Sequence, residues 1–100
     1  MQIRKEQNDE QTMTISLIGR LDTTSSKEFD AEMQTINSDV HLLILNFKEL
    51  SYISSAGLRV LLTAQKTANA RNSTMKLINV NDEIMQVFEL TGFQNFLTIE

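Results

Sequence analysis

The chain has 100 residues, 41% of them hydrophobic and 22% charged, with a net charge of −4, no cysteine, no proline and one histidine. That length makes one domain, 1–100, burying roughly 65% of its unfolded surface. The missing cysteines exclude disulfides, thiolate metal sites and cysteine catalysis, and the lack of any basic block argues against nucleic acid as a partner.

The N-terminus MQIRKEQNDE is polar and carries no signal pattern. The longest apolar stretch, within HLLILNF, is far too short to span a bilayer. A cytoplasmic protein without membrane insertion is expected.

Residues 2–6 suit a polar edge strand, QNDEQ a turn, and Met13, Ile15 and Leu17 alternate with polar neighbours as a strand does. The two segments should form a hairpin, with Gly19 marking a bulge or a close backbone approach. Ser25 and Glu28 fit a capping box, and Phe29, Met33 and Ile36 follow at helical spacing, with Asn37 and Ser38 closing the helix. Val40 to Phe47 is nearly continuous aliphatic, as in a strand covered on both faces. From Ser55 to Asn72 the pattern is helical, with Leu58, Leu61, Leu62, Gln65 and Ala68 on one stripe. Residues 74–80 read as a strand. Asn81 or Asp82 caps a third helix with Ile84, Val87, Phe88 and Thr91 inward, and Gly92 stands where a terminating glycine belongs. FLTIE reads as a last short strand. The order is β-β-α-β-α-β-α-β, an α/β fold with a mixed sheet of about five strands, largely parallel after an antiparallel hairpin.

In such sheets, sites gather in the loops beyond the strands' carboxyl ends, and SYISSAGLRVLL occupies one. A hydrolase reading fails on motif, because G-x-S-x-G is absent, and on position, because His41 begins the preceding strand. No phosphate-loop glycine pattern and no metal-ligand spacing is present, so neither a cofactor nor a metal is called for. Ser54 and Ser55 are good helix caps, worth about 1 kcal/mol. Capping alone leaves Gly57 unexplained, since glycine inside a helix costs about 1 kcal/mol relative to alanine. Small side chains in this turn open its backbone to a partner and its hydroxyls to a kinase.

YISSAGLRVLL, the preceding LLILNFKELS, GRLDTTSS upstream and LTGFQNFLTI near the end together resemble the STAS domain family, and within it the bacterial anti-sigma factor antagonists. The resemblance covers essentially the whole chain. It implies a STAS-like sheet with helices mainly on one face. It also implies partner switching. The domain binds an anti-sigma factor that is a serine kinase and so releases a sigma factor. Phosphorylation of a serine at the start of the second helix breaks the complex, and a serine phosphatase restores it. By motif position the acceptor is Ser55, with Ser54 as the alternative, and the contact surface comprises Asp22, Ser54, Ser55, Ala56, Gly57 and the exposed part of Leu58. Asp22 matches the family's acidic residue after the second strand, although a turn residue at the next helix's start explains it equally well. The chain itself is then a substrate and a binder, not an enzyme. The alternative is an unphosphorylated STAS adaptor in a transporter-associated or stressosome-like assembly.

Overall fold

The computed structural model describes residues 1–100. Its organising element is a long strand, β2 (Thr12–Leu21), with β1 (Gln2–Gln7) antiparallel along one flank. On the other flank β3 (Leu42–Asn46) runs parallel to the first half of β2 and β4 (Leu50–Ile53) parallel to its end. β5 (Thr74–Ile78) lies parallel to β3 on its far side. Helices α1 (Thr23–Gln34), α2 (Ser55–Ala70) and α3 (Asp82–Thr91) follow β2, β4 and β5, and a 3-10 turn spans Phe93–Asn95. No helix is long and apolar enough to cross a membrane.

Register sorts the two faces. Ile3 pairs with Leu17, Ile15 with Leu45, Leu43 with Met75 and Leu45 with Leu77, so these side chains share one face. Ile15, Leu17, Leu45 and Leu77 on it are completely buried. α1 lies over this face, because Lys5 of β1 reaches Glu32 of α1 at 2.7 Å. Phe29 of α1, Leu58 and Leu61 of α2, and Ile84 and Phe88 of α3 join the same buried cluster of 17 residues. The rings of Phe88 and Phe47 are 6.4 Å apart. On the opposite face Thr14, Ser16, Ile44, Asn46 and Ile78 are only half-buried. The aliphatic run at 40–47 is therefore covered fully on one face, not on both.

The fold class is the expected one, with local differences. β4 has no counterpart in the order expected from sequence: it has four residues whose middle pair, Ser51 and Tyr52, is exposed, and so it shows no alternation. It exists because β2 extends beyond β3 and offers free backbone groups. The expected last strand is a single parallel bridge between Ile99 and Leu77. α1 begins earlier than Ser25: Asp22 is its N-cap and Ser25 the reciprocal third residue, so the capping box is Asp22–Ser25. Ile36 falls beyond the helix end. Gly19 has φ +107° and sits at a register shift between β2 and β4. Gly92, at φ 78°, ends α3 in the left-handed conformation.

Candidate functional site

β2 and β4 are neighbours that end together, Leu21 paired with Ile53, and the Ser54 N–H donates to the Leu21 carbonyl at 2.8 Å. Each strand launches a helix at once, α1 from Asp22 and α2 from Ser54. Two helix N-termini, their caps and the turn after them are thus brought to one end of the sheet.

Asp22 is held tightly. Its Oδ1 accepts from the Ser25 N–H at 2.9 Å, while the Ser25 hydroxyl accepts from the Asp22 N–H at 2.9 Å and donates to the Arg20 carbonyl at 2.7 Å. The backbone and hydroxyl hydrogen bonds from Ser25 hold the Asp22 carboxyl below its usual range, and Arg20 adds a smaller pull in the same direction. Asp22 is therefore a fixed negative charge at neutral pH, and the capping role is real.

The two serines are not equivalent. Ser54 is half-buried, and its Oγ accepts from the Gly57 N–H at 3.2 Å, capping α2. Ser55, the first residue of α2, is exposed, and its hydroxyl has no hydrogen-bond partner. Ala56 is half-buried and lines a shallow groove between α1 and α2 with Thr23, Ser26, Lys27, Arg59 and Val60.

Gly57 and Leu58 lie on the inner side of the turn, contrary to the expectation that they present an open surface. Gly57 is buried, and Leu58 is 7% exposed. A Cβ at position 57 would stand 2.8 Å from Leu21 Cγ and 3.0 Å from Ile53 Cγ1. The glycine lets α2 start directly against the ends of β2 and β4. The outer surface of this turn is offered by Ser55, Ala56 and Arg59.

Sequence reasoning missed Thr23 and Lys27 on this surface, because only the packing of α1 beside α2 brings them to the turn, and Arg59, which its spacing of four from Ser55 on one helix could have found. It also missed Tyr52, 40% exposed, with the Arg20 guanidinium 4.2 Å from its ring centroid one residue before the strand ends. His41 precedes β3 whereas Ser54 follows β4 along the same flank of β2, so imidazole and serines sit at opposite ends and form no catalytic pair. No group of three acidic or histidine side chains is placed to hold a metal ion.

The chain is 28% identical over 100 residues to an anti-sigma-B factor antagonist of Listeria monocytogenes, an alignment covering 98% of this chain and 87% of the relative. Among solved structures, the Bacillus cell fate determinant SpoIIAA in its phosphorylated form superposes with a TM-score of 0.78 at 24% identity, covering 99% of this chain and 91% of that one. An anti-sigma factor antagonist from Mycobacterium paratuberculosis superposes with a TM-score of 0.86 at 14% identity, covering 98% and 83%. At those identities the two structures speak to the fold. The STAS domain model matches residues 2–100, and the chain belongs to the STAS domain family.

Proposed function

We propose that the chain is an anti-sigma factor antagonist of the cytoplasm, that its partner is an anti-sigma factor with serine kinase activity, and that phosphate on Ser55 ends the association. The observation that carries this is the division between the serines: Ser54 spends its hydroxyl on the cap, whereas Ser55 is exposed with a free one. The relative from Listeria, named an anti-sigma-B factor antagonist, supports the partner class.

In this reading the kinase transfers the γ-phosphoryl group of its ATP to Ser55 Oγ. ADP leaves, and a base of the kinase takes the hydroxyl proton. The phosphate brings about −1.5 to −2 charge at neutral pH. At the start of a helix that charge is compatible with the fold, because dipole and free amides favour it. Its effect is on the surface: it puts bulk and charge beside Ala56 and near the fixed carboxylate of Asp22, where the partner must approach closely. Losing a well-packed contact centre costs a few kcal/mol, and each ~1.4 kcal/mol is tenfold in affinity. A serine phosphatase resets the system.

The test is intact mass and peptide mapping of protein from its native cells, followed by capture of the kinase with unphosphorylated protein. Phosphate on Ser55, and capture lost on phosphorylation, support the reading. Phosphate on Ser54 moves the acceptor to the capping residue and overturns the assignment to Ser55. Absence of phosphate in every growth state, with no kinase captured, overturns it in favour of the unphosphorylated adaptor.

A further inference from the structure

Arg59 stands four residues after Ser55 on α2, and both side chains are exposed. Residues at this spacing are neighbours on a helix surface, and helical side chains lean towards the N-terminus, so Arg59 reaches back towards Ser55. Its guanidinium is uncommitted, because the chain's two ion pairs are Lys5–Glu32 and Lys76–Glu100. Across the shallow groove, Lys27 of α1 supplies a second unpaired cation. The groove has one acid, Asp30, whose carboxylate accepts from Gln34 at 3.3 Å. A chain with net charge −4 thus sets one free cation a helical turn from the exposed hydroxyl and a second across the groove that Arg59 and Ala56 line.

We propose that Arg59, assisted by Lys27, is the internal counter-ion of a phosphate on Ser55. This rests on Ser55 being the modified residue. Before modification Arg59 is a cation offered on the contact surface. Afterwards it is drawn onto the phosphate oxygens, where guanidinium geometry permits two parallel N–H···O bonds. Phosphorylation then changes the surface twice: it adds an anion and withdraws a cation. A partner that meets Arg59 with an acidic side chain loses that contact as well as meeting the phosphate. The same pairing ties the modified residue to the helix, so the modified domain stays folded.

Phosphoserine is placed at position 55 during translation, so the experiment does not depend on any kinase acting there. The second ionisation of the phosphate is followed by phosphorus NMR in the parent, Arg59→Gln and Lys27→Gln chains, alongside thermal midpoints with and without phosphate. An opposing cation favours the dianion, so the ionisation, ordinarily about 6, should lie about half a unit lower in the parent than in Arg59→Gln, the helix terminus acting equally on both. Lys27→Gln should give a smaller difference. The parent's midpoint should rise on phosphorylation, and Arg59→Gln should reduce the rise to what the helix terminus alone supplies. Identical phosphate titrations in parent and Arg59→Gln overturn the inference, as does a loss confined to Lys27→Gln. Failure of the functional reading would show itself separately, as missing phosphate and missing partner in the native cells.

Discussion

Replacing Gly57 by alanine sets two effects of opposite sign against each other. In a helix the change gains up to about 1 kcal/mol of intrinsic propensity, and a first turn already fixed by the Ser54 cap realises only part of it. Against this, the new methyl would stand 2.8 Å and 2.9 Å from Leu21 Cγ and Cδ2 and 3.0 Å from Ile53 Cγ1. Carbon atoms pack comfortably at about 3.5–4.0 Å, so something must move by roughly 0.7 Å. Leu21 is 0% and Ile53 5% exposed, so neither side chain can swing into solvent. Overpacking of this kind costs about 1–3 kcal/mol. Gly57→Ala should therefore be less stable by about 1–2 kcal/mol, lowering the thermal midpoint by about 5–10 °C for a domain of this size. Gly57→Val, with more bulk at the same point, should reach about 3 kcal/mol. Urea melts followed by far-ultraviolet circular dichroism measure both. If Gly57→Ala is as stable as the parent or more so, the close approach of α2 to Leu21 is refuted. If it also weakens partner capture, the glycine serves an open contact surface after all.

Ser54→Ala should cost about 1 kcal/mol through loss of the cap, whereas Ser55→Ala should stay within about 0.5 kcal/mol of the parent, both read from urea midpoints. The lowered pKa of Asp22 means that its carboxylate stabilises the fold above its unfolded value near 3.9, an advantage lost as pH falls through the folded value. Asp22→Asn keeps a capping oxygen but cannot titrate, so its deficit relative to the parent should be present at about pH 5–7 and shrink in urea melts as pH falls below about 4. Asn81→Ala removes both the cap that accepts from the Ile84 N–H and the amide that donates to the Leu50 carbonyl, each at about 3 Å, and should lower stability by about 1–2 kcal/mol in the same melts.

What the sequence shows depends on which forces act locally. Alternation at Met13, Ile15 and Leu17 and helical spacing at Ile84 and Phe88 report burial, and those elements stand where they were read. So do Gly19 and Gly92, because positive φ is a demand that a single residue must meet. The start of α1 is ambiguous in the sequence because DTTSSKE contains two overlapping capping signatures, Asp22–Ser25 and Ser25–Glu28. The first wins because Asp22 directly follows a strand whose end is fixed by its neighbour β4. β4 has no pattern of its own, for it is held by its partner's length. The inward role of Gly57 is not legible because the sequence shows that the turn is small without showing which side needs it to be so.

The missed strand is also what makes the site. Without β4 beside the end of β2, Asp22 and Ser54 would be 32 positions apart along the chain with nothing to join them. With it, the Ser54 N–H is anchored on Leu21, and α1 and α2 start side by side. Under the proposed function, that arrangement accounts for a pair of serines in place of one. A cap must direct its oxygen at the helix's first amides and lie partly buried, as Ser54 does. A residue modified reversibly by another protein must expose an oxygen that the fold does not use. One side chain meets both demands poorly, because the capping oxygen of Ser54 is half-buried and already engaged with the Gly57 N–H, and so is less open to a kinase than the Ser55 hydroxyl. Separating the duties by one position leaves the Ser54 cap untouched by what happens at Ser55, and Ala56 and Gly57 then keep the turn small on both its outer and its inner side.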